Sequence, residues 1–251
     1  MKLGAQLYTI RNHCKDAESL NESLGKIAAI GYKYIQLSGF PYDPAAVRKR
    51  ADELGLSIIL THSPGERILN DTDKLIEEHI LMGCPNIGIG GFSGEHTPEG
   101  ARKFLTELRP AMEKMAAKGL KFQYHNHAFE FQRFDGVTLF DILKNESDPE
   151  LMGFTLDTYW VQYGGVCVTE LIKSLKGRIN VFHFKDMIMV PEGQHYAPIG
   201  EGNLSWNTIV PVFEEIGAEY GFVEQDDSYG RDAFDCMKSS HDFLRSNFKL
   251  D

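Results

Sequence analysis

Short apolar runs alternate along the chain with longer amphipathic segments. Eight of the runs are rich in β-branched and aromatic residues, a composition that is typical of strands. They read KLGAQLYT from Lys2, YKYIQLSG from Tyr32, LSIILTHS from Leu56, PNIGIGG from Pro85, LKFQYHNH from Leu120, MGFTLDTY from Met152, INVFHFKD from Ile179 and YGFVEQD from Tyr220. The pattern therefore predicts eight strands.

The segments between the strands carry helix start and stop signals. DPAAVRKRADELG begins with Asp43 as a helix N-cap and Pro44 at the first helical position. A second long helix is expected to begin at Pro98 and to end near Gly119. The pattern WNTIVPVFEEIG is helical as well, although Pro211 is expected to kink or shorten that helix.

Eight strands that alternate with about eight helices predict a (β/α)₈ TIM barrel, which belongs to the α/β class. An open, doubly wound sheet is the second choice, but it would normally have a glycine-rich phosphate-binding turn after the first strand. The residues that follow the first strand, YTIRNHC, contain no glycine. We expect one TIM-barrel domain that spans residues 1–251, because no linker interrupts the alternation.

Composition and charge narrow the functional classes. The chain is 42% hydrophobic and 25% charged, with a formal net charge of −10, so nucleic acid is not the expected partner. The four cysteines are far apart, which favours free thiols in the cytoplasm. No apolar run approaches the length of about 18 residues that a membrane span needs, and no signal peptide is evident. A homo-oligomer is compatible with this composition.

The fifth predicted strand ends in an unusual group of polar residues. Side-chain alternation places Gln123, His125 and His127 on one side of this strand and Phe122 and Tyr124 on the other. The apolar side is suited to packing against helices, so the polar side is expected to face the mouth of the barrel. Two histidines on one face favour metal binding or proton transfer, although a purely structural pair is an equal alternative.

The next three strands also end in ionisable residues. Asp157 ends the sixth strand, His183 lies in the seventh, and Glu224 follows the eighth. Such side chains are costly in these positions unless they are paired or bind a metal. Because all strands of a barrel end at the same rim, these residues are expected to converge. Carboxylate and imidazole together suit Mn²⁺, Zn²⁺, Co²⁺ or Fe²⁺ better than Ca²⁺.

The earlier strands supply polar groups at the same level, and these are candidates for substrate contact or ordinary residues of the barrel mouth: Gln6, Tyr8, Gln36 and His62. Trp160 could form an apolar wall for a sugar ring, or belong to the core.

Five motifs occur in a characteristic order: GAQLYTIR, YHNHAFEF, LDTYWVQYGG, VFHFKD and PIGEGNLSW. With them the sequence resembles the sugar phosphate isomerase/epimerase family, the xylose-isomerase-like TIM barrels, over nearly the whole chain. The resemblance implies one divalent metal, held by Glu, Asp, His and Glu from strands five to eight. Asp157, His183 and Glu224 match three of these positions. The ligand position on the fifth strand departs from the family pattern, because relatives often have Glu there, in LEN, whereas this chain has His125, in YHN. Glu130 is the alternative ligand.

The resemblance also implies a function. We expect an isomerase or epimerase that acts on a keto-sugar or related polyol through an enediolate, with Mn, Zn, Co or Mg as cofactor. Glu224, His127 and His125 are the candidates for proton transfer, and Glu130, Lys185 and Asp186 join the candidates for substrate contact. Three alternatives remain: a lyase or dehydratase of keto-sugars or keto-glycosides, a non-catalytic sugar-binding barrel and, less favoured, an apurinic-site endonuclease.

Overall fold

A closed barrel of eight parallel strands forms the centre of the molecule. The computed structural model describes residues 1–92 and 94–251. Its barrel strands are β1 Lys2–Gln6, β2 Tyr34–Leu37, β3 Ser57–His62, β4 Asn86–Ile89, β5 Lys121–His125, β6 Met152–Asp157, β7 Val181–Phe184 and β8 Tyr220–Val223. Each strand pairs with the next along the chain, and β8 pairs with β1. This arrangement confirms the predicted (β/α)₈ TIM barrel.

Helices surround the barrel, and the expected local signals begin and end several of them. The α-helices among the described residues are α1 Ala17–Ile30, α2 Pro44–Leu54, α3 Gly65–Asn70, α4 Thr72–Met82, α5 Pro98–Ala117, α6 Leu139–Glu146, α7 Thr158–Tyr163, α8 Val168–Ser174, α9 Trp206–Glu215 and α10 Ala233–Asn247. The Asp43 side chain accepts a hydrogen bond from the backbone N–H of Ala46 at the start of α2, and Gly55 ends this helix with a left-handed φ of 67°. Helix α9 continues through Pro211 to Glu215, so the expected shortening at this proline does not occur. None of the helices in residues 1–92 and 94–251 has the length and hydropathy needed to cross a membrane.

The core has an outer layer between strands and helices and an inner layer inside the barrel. Tyr124 of β5 points outwards, and its ring centroid lies 5.7 Å from that of Phe104 in α5. Inside the barrel, the ring of Phe222 fills the space beside Gly4, where an added Cβ would lie 2.3 Å from the ring. A glycine in β1 is therefore required to admit this aromatic ring.

The carboxyl ends of the strands meet at one rim, which the following segments cover. The register pairs Asp157 of β6 with His183 of β7, so these two side chains start at the same level. A 3₁₀ helix, Leu7–His13, follows β1, and another, Phe129–Phe131, follows β5. After β7 the chain forms an antiparallel hairpin of Asp186–Val190 and Gly193–Ala197, which is not among the eight predicted strands. These two segments lack the clear alternation of apolar and polar residues by which strands are recognised in a sequence.

Candidate metal centre

Four buried side chains converge at the carboxyl end of the barrel. They are His125 at the end of β5, Asp157 at the end of β6, His183 in β7 and Glu224 just after β8. One nitrogen or oxygen atom from each residue lies within 4.8 Å of the others. These four side chains could hold a divalent metal, since their donor atoms are close together and imidazole and carboxylate together suit first-row ions.

Neighbouring groups orient the ligand atoms. Nε2 of His183 lies 2.8 Å from Oε1 of Gln36, an acceptor, so the ring N–H is placed on Nε2. Nδ1 faces the carboxylates, with Oε2 of Glu224 2.8 Å away, and it is this nitrogen that could bind a metal once its proton has left. The backbone N–H of Asp157 donates to Asn126 at 2.9 Å, and the Asp157 carboxylate accepts from the backbone N–H of Trp160 at 3.0 Å. A supporting shell that fixes the tautomer and the carboxylate orientation is what metal sites need, so the residues fit such an ion.

A buried lysine lies among the same carboxylates. Nζ of Lys185 is 2.7 Å from Asp226, 3.4 Å from Glu224 and 3.5 Å from Asp157. Burial alone would lower the pKa of Lys185, but these three carboxylates raise it above the ordinary value. The side chain is therefore an ammonium group, and its positive charge is shared among three acids.

The same interactions keep the ligand carboxylates ionised. Burial would raise the pKa values of Asp157 and Glu224, but Lys185 and the adjacent histidines lower both below the usual range. Burial would likewise lower the pKa of His183, but the carboxylates of Glu224 and Asp157 raise it to about 9. An arriving metal would therefore displace a proton from His183, since only a neutral imidazole can be a ligand.

A polar cavity of about 240 Å³ opens above the four ligands. Besides His125, Lys185, Glu224 and Asp226, it is lined by Tyr8, Ser38, His62, Gly90 and His127. Burial, reinforced by His125, lowers the pKa of His127 to about 3. Burial and the neighbouring histidines also lower the pKa of His62 well below its ordinary value. Both rings are therefore neutral at physiological pH.

The predicted substrate residues divide into two groups. Tyr8, His62 and Lys185 line the cavity, and the ring of Trp160 lies 5.3 Å from that of His127 beside it. Gln6 and Gln36 are fully buried within the barrel. Oε1 of Gln6 accepts a hydrogen bond from the backbone N–H of Tyr8, and Gln36 is bonded to His183.

Glu130 does not join the ligand group. Its carboxylate accepts hydrogen bonds from the hydroxyl of Tyr124 at 2.6 Å and from the backbone N–H of His127 at 2.8 Å. Tyr124 points to the helix layer, so Glu130 faces away from the cavity. The structure brings His125 rather than Glu130 to the other three ligands, because the loop after β5 folds the glutamate back over the outside of its own strand.

Asp186 is also directed elsewhere. Its carboxylate accepts hydrogen bonds from the backbone N–H groups of Met187, Gly200, Gly202 and Leu204. The indole N–H of Trp206 adds a further bond at 2.7 Å. These donors occupy both oxygens, so Asp186 anchors the loop before α9, and its predicted contact with substrate gains no support from its position.

Asp226 was missed by the sequence analysis. It lines the cavity and forms the shortest ion pair of Lys185. Burial and the nearby Glu224 raise its pKa. The acidic run EQDD after β8 contains this residue, but in such a run the sequence cannot show which carboxylate turns inwards.

Comparisons with known proteins agree with this architecture. A search of curated proteins found no significant match. A sugar phosphate isomerase/epimerase from Parabacteroides distasonis ATCC 8503 is similar in structure, with a TM-score of 0.82, 21% identity and coverage of 98% of this chain and 94% of that one. A D-allulose 3-epimerase from Methylomonas sp. has a TM-score of 0.75, 14% identity and coverage of 98% and 97%. The probable 3-DHS dehydratase from Bacillus anthracis has a TM-score of 0.76, 12% identity and coverage of 98% and 99%.

At these identities the structural similarities establish the fold. The model of one sequence family, described as the xylose isomerase-like TIM barrel, matches residues 24–246. This match spans most of the chain, including the strands that carry His125, Asp157, His183 and Glu224. The chain therefore belongs to the xylose isomerase-like TIM barrel family.

Proposed function

We propose that the protein is a divalent-metal-dependent isomerase or epimerase that acts on a keto-sugar or related polyol through an enediolate. The observation that carries this proposal is the convergence of His125, Asp157, His183 and Glu224 within 4.8 Å of one another, beneath a cavity that also contains neutral histidines. The named activities of the similar isomerase and epimerase structures support the same reaction class.

The four convergent residues would hold the metal, with Mn, Zn, Co or Mg as the candidates. When bound, such an ion supplies Lewis acidity to a carbonyl oxygen and lowers the cost of removing the adjacent proton. The histidine in place of the usual fifth-strand glutamate adds a nitrogen ligand, which favours Mn, Zn or Co over Mg.

The remaining groups in the cavity suit proton transfer. His127 is the best candidate for the base, because it lines the cavity, lies 4.8 Å from the ring of His125 between centroids and is not one of the four candidate ligands. His125 and Glu224 were the other candidates, but both contribute to the ligand group. The ammonium of Lys185 can donate a hydrogen bond to a substrate oxygen that gains negative charge.

A lyase or dehydratase reaction at the same site is the second candidate. Its first step is the same removal of a proton from the carbon beside the carbonyl, after which a hydroxyl or alkoxyl group leaves with a proton from an acid. The observation that favours it is the position of Lys185, a cationic donor held beside Asp226 at 2.7 Å. The dehydratase among the similar structures supports this alternative.

The test is metal analysis of the purified protein, followed by a screen of keto-sugars for uptake of solvent deuterium. We expect about one divalent ion per chain and uptake at the carbon beside the carbonyl. Asp157→Asn should lose the metal and reduce uptake by more than about 100-fold. Asp73→Asn, a change at an exposed aspartate, is the control and should match the wild type.

Product analysis in the same samples separates the two reactions. Deuterated isomer without loss of water or alcohol supports isomerisation or epimerisation, whereas an unsaturated product supports elimination. If the protein binds metal and sugar but no keto-sugar takes up deuterium, both proposed reactions are contradicted. The remaining function is then a non-catalytic sugar-binding barrel.

A further inference from the structure

A second cavity adjoins the polar one at His62. It has a volume of about 520 Å³ and is here called the side groove; its walls include Phe40, Tyr42, His62, Ser63, Arg67 and Glu78. The ring of His62 belongs to the walls of both cavities, and its centroid lies 5.0 Å from that of His125. The side groove therefore begins beside the candidate metal centre.

A chain of buried hydrogen bonds joins Ser63, just after β3, to His79 in α4. Nδ1 of His79 lies 2.8 Å from the backbone carbonyl oxygen of Leu75, which can only accept, so Nδ1 carries a proton. Burial lowers the pKa of His79 to about 4, so the ring is neutral at physiological pH and Nε2 carries no proton. Oγ1 of Thr61 lies 2.8 Å from this Nε2. The Thr61 hydroxyl is therefore the donor in that bond.

The direction of this chain determines what Ser63 can do. Oγ of Ser63 lies 3.0 Å from Oγ1 of Thr61. Because the single hydroxyl proton of Thr61 is directed at His79, Ser63 is the donor in the bond between the two hydroxyls. Its own proton is then engaged as well, while its oxygen can still accept. In the side groove Ser63 can therefore accept a hydrogen bond from a ligand but cannot donate one.

The charged residues of the side groove are already paired with each other. The guanidinium of Arg67 donates to both carboxylate oxygens of Glu78 and to Asp71. Among the described residues that line the groove, Arg67 and Glu78 are the only ones of the types Asp, Glu, Lys and Arg. A phosphate or carboxylate, which needs a free cationic donor, is therefore not the group that this lining suits. An uncharged hydrogen-bond donor such as a hydroxyl matches the acceptor at Ser63.

We propose that Ser63 determines specificity by accepting a hydrogen bond from a free hydroxyl of the substrate that lies in the side groove, away from the reacting carbons. This inference rests on the proposed function and adds which substrates the site takes: keto-sugars whose distal hydroxyl is unsubstituted. A methyl ether at that position would bring an acceptor against an acceptor, and a deoxy sugar would leave Ser63 without a partner. Both analogues lose a hydrogen bond that the hydroxyl makes.

The test uses a ketohexose and two analogues in which the hydroxyl farthest from the carbonyl is replaced by hydrogen or methylated. For each, kcat/KM of deuterium uptake is measured with the wild type, Ser63→Ala and Ser147→Ala. Ser147 follows α6 at the opposite end of the barrel and is as buried as Ser63, so it controls for the loss of a buried hydroxyl. We expect the wild type and Ser147→Ala to prefer the ketohexose over both analogues about tenfold. Ser63→Ala should lose most of this preference.

Thr61→Val tests the direction of the hydrogen bond. Without the Thr61 hydroxyl, the Ser63 proton is released and becomes available to a ligand. The preference for the ketohexose over the methyl ether should therefore fall about threefold or more, while the preference over the deoxy analogue remains. If this variant does not fold, the ratios in Ser63→Ala decide.

The ratio between compounds is the decisive quantity, because a general loss of activity in a variant cancels in it. Equal rates for the three sugars in the wild type, or the wild-type preference retained in Ser63→Ala, would overturn the inference while leaving the proposed function intact. An unchanged ratio for the methyl ether in folded Thr61→Val would overturn it as well.

If no compound exchanges deuterium, the proposed function fails and calorimetry with the ketohexose and its methyl ether decides the inference. Binding of the ketohexose about tenfold tighter than the ether, lost in Ser63→Ala but kept in Ser147→Ala, supports the hydroxyl site at Ser63. Equal binding of the two compounds, or no binding of either, overturns it.

Discussion

His125 and His127 lie two residues apart on the same side of the chain, and their surroundings separate their roles. Nε2 of His125 is 3.2 Å from the Asp157 carboxylate, and the side chain is buried among the ligands. His127 lies one step further out, where β5 has ended and the cavity begins. The first therefore belongs to the candidate metal site, and the second lines the cavity in which the proposed substrate would lie.

Replacement of His127 tests the second role. His127→Gln retains polarity and approximate size but cannot accept a proton, so turnover should fall about 10²- to 10⁴-fold, the range for a general acid or base. Metal content and melting temperature should be nearly unchanged, since the ring lies outside the ligand group. The measurements are turnover on an accepted keto-sugar, metal analysis and a thermal melt.

His241→Gln, in α10 and remote from the cavity, is the matched control and should behave as the wild type. Near-normal turnover of His127→Gln would assign His127 a structural role and shift attention to Glu224 or His62 as the base.

At the scale of elements, Glu130 links β5 to the loop that follows it. The carboxylate accepts one hydrogen bond from the Tyr124 hydroxyl in the strand and another from the His127 backbone N–H in the loop. It thereby positions the segment that carries His127 and Phe129. Burial raises the pKa of Glu130, and the hydrogen bonds from Tyr124 and the backbone lower it by a smaller amount. The result is a pKa raised to about 7.

This raised pKa predicts a pH-dependent effect on stability. Between pH 4.5 and 7 the unfolded chain loses the Glu130 proton while the folded protein retains it, so the free energy of unfolding falls as pH rises and the cost is complete above about pH 7. Glu130→Gln removes this cost. From pH 5 to pH 8 the free energy of unfolding of the variant should therefore rise by about 2 kcal/mol relative to that of the wild type. Urea unfolding at both pH values measures this change.

Glu150→Gln, at an exposed glutamate, provides the comparison and should follow the wild type at both pH values. If the Glu130→Gln and wild-type stabilities change in parallel with pH, the glutamate is ionised in the fold throughout this range.

At the scale of the whole molecule, the ligand group joins four strands. His125, Asp157, His183 and Glu224 come from β5, β6, β7 and β8, which form half of the barrel. Without a metal, repulsion among the carboxylates is balanced by Lys185 and a protonated His183. An ion that binds all four side chains would bind only the folded chain, because the unfolded chain does not bring them together.

Metal should therefore stabilise the protein as a whole. At a free concentration of 100 times Kd, the gain is about 2.7 kcal/mol, which corresponds to a rise in Tm of about 5–10 °C for a chain of this size. Thermal melts of protein treated with a chelator and then supplied with Mn²⁺, Zn²⁺ or Co²⁺ measure it. Asp157→Asn should show little shift, and an equal shift in this variant would place the stabilising ion elsewhere.

The barrel and the position of its polar rim could be predicted from the sequence because both depend on local patterns. Each of the eight predicted strands contains an observed one, and the alternation that separates Gln123 from Tyr124 is a property of extended backbone. The convergence of Asp157, His183 and Glu224 follows from one further rule, that parallel strands in a barrel end at the same rim.

The partners of individual side chains were decided only by the tertiary structure. Gln36 bonds His183, which is 147 residues away, and Asp226 meets Lys185 across neighbouring strand ends. Glu130 turns towards Tyr124, and Asp186 towards the loop before α9. A carboxylate or amide at a strand end can reach several donors, and the loops determine which donor is nearest. Because loop conformation depends on packing between distant segments, the pattern along the chain identified which residues reach the rim but not which of them face the cavity.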